Sequence, residues 1–472
     1  MQLGTLFEQF LQASPIPVMY RALLERALDP HQLDQLFHDT AQTQRTRELL
    51  FSAMVKLMFA VVSKVHPSVR SAYLDSLDEL MTSLSAVYAK LQGIEPEVCR
   101  GFVLYAHDRL EAILRRLDGG ILPQPLPGYR ARILDGNHLA GTEHRPAPTR
   151  TTRAAPLPGQ ALVVLDPATM LVCDVVPCED AYTQERALID AVLERVAEGD
   201  FWIADRNFCC SRFVFGMVAR RGRFLVRQHK ATLRWEPIGA WTDLGRIATG
   251  VVFEQTIRVT DIDERDGVVR DEQGHAQTVT LRRIRVVLDQ PTEDGETELF
   301  LLSDVPAAQA EGRLLATIYR RRWTVENVFQ TLTEALQCEI DTLAYPKAAL
   351  FGFCTALVAY NAVAVVRAAL RAAHGAELVE ENVSTYHVVG EIARVYEGMM
   401  IALPPREWAI FQEVGAVEFA EFLQAAAELA WLAKYPLSHR GPKKPRPKQT
   451  SGKRNHHVAT ARLLDQKNRH NR

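Results

Sequence analysis

Asp135, Asp205 and Glu326 are the residues whose types and placement in this chain suit chemistry. Asp135 follows the apolar run RARIL and Asp205 follows FWIA, so each carboxylate is expected to terminate a buried strand. The C-terminal ends of strands in open α/β sheets are where ligands bind. Capping of the following turn explains either carboxylate taken alone. Glu326 belongs to EGRLLATIYRRRWTVENVFQTLTEALQ, residues 311–337, which reads as one long helix, rich in helix formers and free of proline. On such a helix Tyr319, Arg322, Glu326 and Thr333 share a stripe about 60° wide. Leu314, Leu315, Ile318, Val325, Phe329 and Leu332 supply the apolar surface that packs it down. Two carboxylates from strand ends and one from a helix face are the hard oxygen donors that a pair of Mg²⁺ ions needs. Two such ions about 3.5–4 Å apart support an in-line displacement at phosphorus without a catalytic His or Ser. Arg322, one turn before Glu326, is placed for a phosphate. An ordinary amphipathic helix with an Arg-Glu pair at i, i+4 is the plain alternative.

The chain offers the elements to position them. At 472 residues, 47% apolar and 24% charged, it exceeds one ordinary domain and can build cores. Residues 1–121 read as helices, with Asp29 as N-cap before Pro30 and apolar three-to-four spacing over 45–64, 68–91 and 96–117. Their charges are mixed, which leaves packing and DNA binding both open. A proline-rich link at 122–128 marks a boundary. Strands follow at 129–134, 161–165 and 170–176, the last two a hairpin, then a helix over 181–197, a strand over 201–204, a helix over 210–220 and a strand over 223–227. From 231 to 304 the pattern is β only, with runs at 251–259, 277–288 and 298–302. The expected fold class is α/β: a mixed sheet built from 122–230 and 305–370 with a β-strand insertion at 231–304, flanked by the N-terminal helices, by C-terminal helices over 371–435 and by a tail at 436–472.

Composition narrows the partners. From Arg440 to Arg472 there are eleven Lys or Arg against one acidic residue, Asp465, among prolines and a glycine. Such a tail is expected to remain unstructured alone and suits a polyanion; a merely solubilising terminus accounts for it equally well. Residues 348–366 carry no charge and have the length of a membrane span. Thr355, Tyr360 and Asn361 within them favour a buried core helix instead. Seven scattered cysteines without a CxxC pair argue for a reducing compartment and against structural zinc, and MQLGTLFEQF lacks the features of a signal peptide.

The order Asp135, Asp205, Glu326 resembles the DDE catalytic core of ribonuclease-H-like transposases. Tyr319, Arg322 and Glu326 resemble the helical signature of the insertion sequence 4 family, and DGN at Asp135 and ADRNF at Asp205 are similar to its other two motifs. The likeness covers roughly 125–370 and extends to HRGPKKPRPKQTSGKRNHH in the tail. The family lysine position is Thr333 here, with Lys347 as a candidate substitute, and Asn137 replaces a commoner threonine. The resemblance implies a bacterial, cytoplasmic and nucleoid-associated cut-and-paste transposase that uses two Mg²⁺ ions, with Mn²⁺ able to replace them, held by Asp135, Asp205 and Glu326. It implies hydrolysis and transesterification through a DNA hairpin. The implied partners are the element's terminal inverted repeats and target DNA, with DNA-dependent self-association and no membrane. Tyr319, Arg322, Arg206, Lys347, Lys443, Lys444, Arg446, Lys453 and Arg454 are the expected DNA contacts, and Trp235, Trp241 and Trp323 the candidates to stack a flipped base. A catalytically silent DNA-binding remnant and a structure-selective nuclease of the same fold are the competing functions.

Overall fold

The computed structural model describes residues 3–44, 49–142, 144–150, 156–229, 231–263, 265, 267–292, 295–340, 342–437 and 459–470. Among these, ten strands form one mixed sheet. β1 (Arg130–His138), β2 (Gln160–Asp166) and β3 (Leu171–Cys178) are an antiparallel meander. Its β2–β3 turn is set by Asp166, whose Oδ1 accepts from the Ala168 backbone N–H at 2.9 Å. β4 (Asp200–Ala204) lies parallel to β1 on its other side, and β5 (Arg223–Arg227) lies parallel to β4. Parallel neighbours require a crossover, and the helix Ser211–Ala219 supplies it between β4 and β5.

β6 (Arg234–Pro237), β7 (Thr242–Ile247), β8 (Gly250–Thr260), β9 (Thr278–Leu288) and β10 (Glu298–Ser303) complete the order β3-β2-β1-β4-β5-β10-β9-β8-β6, with β7 beside β8. The stretch expected as an inserted module is therefore continuous with the core sheet. β10 returns antiparallel to β5, with Leu302 opposite Val226, and pairs an edge that would otherwise be bare.

Local chemistry moves several expected boundaries. β1 continues past Asp135 to His138, because β2 goes on pairing with it as far as Gln160. The run 68–91 forms three helices rather than one, since Ser68 and Ser83 each cap a new start by accepting a backbone N–H at 3.2 Å. Asp29 caps as expected, accepting from the Gln32 N–H at 2.9 Å. Between 181 and 197 only Glu185–Leu188 and Ile189–Leu193 are helical, one turn each, and the second buries Ile189, Val192 and Leu193. In the tail, Thr460–His470 forms a helix rather than unstructured chain: Ala459 bridges to Leu157 and Arg462 pairs with Asp180 at 2.6 Å.

The uncharged run lies inside the 29-residue helix Pro346–His374, an 18-residue window of which is 94% buried. It is a core helix. Asn361 explains why a polar residue sits in it: its side chain accepts from the Val172 N–H and donates to the Val172 carbonyl, both at 2.8 Å. β3 is the sheet's edge strand, so Asn361 satisfies backbone groups that burial would otherwise leave unpaired. The helices Phe51–Val62 and Pro96–Leu114 join the same core through Phe51, Phe102 and Phe351, with ring centroids 5.6 to 6.3 Å apart.

Candidate active site

Strand register brings the two aspartates together. Leu134 of β1 and Ala204 of β4 are partners in the parallel ladder, so Asp135 and Asp205 occupy the next position on neighbouring strands. Asp205 is still extended, at φ −77° and ψ 172°. Alternation fixes the face. Ile133 and Ile203 belong to the larger core, and the residues two further on, Asp135 and Asp205, point to that same side. The helix Trp323–Glu334 packs there through Val325, Val328 and Leu332.

The expected single helix is broken at the site. Gly312–Tyr319 and Trp323–Glu334 are α-helical, but Arg320–Arg322 forms a 3₁₀ turn. With about 3.0 residues per turn, positions i and i+3 eclipse, which draws Arg322 under Tyr319 and toward Asp135 while Arg320 and Arg321 stay exposed. Arg322 donates to Asp135 Oδ2 at 2.9 Å and to Glu326 Oε1 at 2.7 Å. Its guanidinium is thus a cation set between two of the three carboxylates. Burial works against that charge, yet Asp135, Tyr319, Asp205 and Glu326 together hold the Arg322 pKa above its ordinary value.

The site's electrostatics favour cations. Burial pushes the Asp135 carboxyl up to about 7; Arg322 and the Gly136 N–H oppose this, and Asp205 and Glu326 add to it. Burial and Asp205 also raise the Tyr319 phenol, whose hydroxyl is buried without a hydrogen-bond partner. Glu326 is 51% exposed and forms the open side. Three carboxylates with an orphaned hydroxyl are a donor set that hard divalent ions match. Among the described residues no three such groups converge closely enough to hold one ion in this arrangement, since Arg322 stands between Asp135 and Glu326.

Three more charged residues surround this centre. Arg227 ends β5 at the register position that Asp135 and Asp205 occupy on β1 and β4, because Val226 partners Ala204. Glu296 pairs with Arg227 and lies 3.6 Å from Arg206. Glu185 rests against Gly136, where an added Cβ would collide with its Oε1, and accepts from Asn207 at 3.1 Å. Sequence reasoning missed Arg227 and Glu296. The signal for Arg227 was present: it ends the apolar run FLV as the aspartates end theirs.

Other expected residues fall elsewhere. Lys347 interacts with Glu95 and Glu179 rather than with the carboxylate centre. Trp235 and Trp241 flank Arg283 at 4.4 and 5.2 Å, with Phe300 at 4.3 Å. By alternation with Leu281 and Leu302 of the smaller core, this stack lies on the opposite face of the sheet from Asp135. Thr333 turns its hydroxyl to the Phe329 carbonyl at 3.0 Å. Lys443, Lys444, Arg446, Lys453 and Arg454, and the side chain of Trp323, lie outside the described residues.

A family model described as a transposase DDE domain matches residues 126–362, half of the chain, a span that includes Asp135, Asp205 and Glu326. A piggyBac transposase synaptic complex with hairpin DNA is similar over 92% of this chain and 88% of that one, at 10% identity and a TM-score of 0.38. No curated protein matches the sequence.

Proposed function

The chain belongs to the transposases with a DDE domain, and from that premise we propose that it is a cut-and-paste DNA transposase of the insertion sequence 4 family. The observation that carries this reading is the placement of Asp135 and Asp205 side by side in register, with Arg322 tying Asp135 to Glu326. The antiparallel meander followed by two parallel strands, order β3-β2-β1-β4-β5, supports a ribonuclease-H-like core. Residues 1–121, 371–435 and 436–472 are read as units flanking it.

Asp135, Asp205 and Glu326 would hold two Mg²⁺ or Mn²⁺ ions, which when bound supply Lewis-acid activation of the phosphodiester and its attacking oxygen. Arg322 keeps the carboxylates from repelling one another until then, and afterwards offers its fork to a DNA phosphate. Tyr319, eclipsed with Arg322, holds a hydroxyl ready to donate to an oxygen in the centre. Arg206, 43% exposed beside Asp205, is placed for the DNA backbone. The substrate is the terminal inverted repeat of the protein's own element, cut through a hairpin and joined to target DNA, with self-association driven by DNA.

The test is a supercoiled plasmid carrying the element's flanking DNA, incubated with Mg²⁺, Mn²⁺ or EDTA and with wild type or Asp205→Asn. Excision at the ends by wild type is expected, lost with EDTA and in the variant while DNA binding survives. Cutting without joining would assign a nuclease. Binding without any cutting would assign a silent remnant.

A further inference from the structure

Resting on that reading, we infer that Arg227 and Arg206 form a phosphate subsite for the strand being cut, and that Glu296 occupies it as an internal anion in the DNA-free protein.

The first support is register. Leu134, Ala204 and Val226 form one row across three parallel strands, and the next row reads Asp135, Asp205, Arg227. Leu225, like Ile133 and Ile203, belongs to the larger core, so Arg227 emerges on the carboxylate face. Adjacent strands lie about 4.8 Å apart. A DNA backbone that reaches Asp205 therefore has the Arg227 guanidinium one strand away, on the side opposite Asp135. Tyr319 lies near both, since Asp205 raises its phenol pKa and Arg227 lowers it.

The second support is what fills the place now. Arg227, only 19% exposed, is paired with Glu296, and Arg206 approaches the other oxygen of the same carboxylate. A carboxylate shared by two guanidiniums has the charge and fork geometry of a bound phosphate. Glu296 arrives from the turn before β10, where Glu296 N donates to Thr292 Oγ1 at 3.1 Å. It can withdraw without disturbing a strand.

Charge supplies the direction of exchange. With every group ionised, Asp135, Asp205, Glu326, Glu296 and Glu185 stand against Arg322, Arg227 and Arg206, which leaves two net negative charges. Two divalent cations would make the centre positive, and DNA phosphates would neutralise it. The Glu296 carboxylate competes for the same guanidiniums, so it tunes DNA affinity.

The experiment measures binding of a duplex carrying the element's end, across a salt series, together with cleavage at saturating DNA, for wild type, Arg227→Ala, Arg227→Lys and Glu296→Gln. Arg227→Ala is expected to lower the salt slope of binding by about one and to slow cleavage on the order of a hundredfold. Arg227→Lys should restore the salt slope but only part of the cleavage, because lysine cannot form the fork. Glu296→Gln, which keeps both arginines, should bind the duplex several-fold more tightly at roughly physiological salt. Melting curves show whether each variant is folded. An unchanged salt slope and cleavage rate in Arg227→Ala, or weaker binding by Glu296→Gln, overturns the inference. Failure of wild type to cleave sinks the transposase reading instead, and the salt slopes still decide the role of Arg227.

Discussion

Two helices follow one another along the chain and are built on opposite terms. Pro346–His374 runs 29 residues without interruption, buried nearly all round, with Thr355 and Asn361 bonded to backbone. Gly312–Glu334 has a comparable share of good helix formers but breaks at Arg320–Arg322, and there it carries charge toward a neighbouring strand. In the first helix the uncharged stretch answers to packing. In the second, one face answers to packing through Val325, Val328 and Leu332, and the other holds Tyr319, Arg322 and Glu326, with Arg322 paired to both Glu326 and Asp135. The difference teaches where substitution should cost stability and where it should cost activity.

The largest effect expected is on activity. Glu326→Gln keeps the shape of a half-exposed side chain and removes one ion pair, an interaction worth under about 1 kcal/mol at such exposure. End cleavage should nonetheless fall on the order of a thousandfold. Initial cleavage rates and melting temperatures of the same preparation check both halves. If the melting temperature collapses with the activity, the second helix is as structural as the first and the contrast fails.

Asn361→Ala should do the reverse. It leaves the Val172 N–H and carbonyl unpaired in a buried place, at a cost of about 3 kcal/mol. Denaturant titration should show a lower midpoint with an unchanged slope, and cleavage per folded molecule should hold. A variant of full stability would mean that the edge of β3 finds another partner.

How far this was legible in the sequence follows the same division. The placement of Asp135 and Asp205 was legible because each follows an apolar run, which puts a carboxylate at a strand end whether it caps a turn or binds a ligand. Glu326 and Arg322 could be found because helical periodicity puts them on one stripe. Asn361 marked the core helix against a membrane span. The break at Arg320–Arg322 could not be found, since all its residues favour helix and the contact that accompanies it, Arg322 with Asp135, is tertiary. Arg227 needed the register of β4 and β5, which sequence does not encode locally, and Glu296 needed the return of β10 to β5 across some seventy residues. β6 and β7 are short and half-exposed, with Pro237 and Gly245 in them, so the alternation that reveals a strand is weak there.

Thr355→Val gives the smallest effect and sharpens the comparison most. Thr355 is fully buried in the same apolar helix as Asn361, and a count of buried polar residues would rank the two alike. Their bonds differ. The Thr355 hydroxyl donates at 2.8 Å to the Phe351 carbonyl, four residues back in its own helix. A carbonyl at that position already accepts the regular i to i−4 backbone bond, so deleting the hydroxyl leaves no group unpaired. Valine has nearly the same shape and is equally branched at Cβ, and removing the hydroxyl exposes nothing to solvent. The change in unfolding free energy should therefore stay below about 1 kcal/mol, with cleavage untouched, while Asn361→Ala in the same background loses several times as much. Equal losses from the two substitutions would mean that polarity itself, rather than the backbone groups Asn361 satisfies on β3, is what this helix contributes.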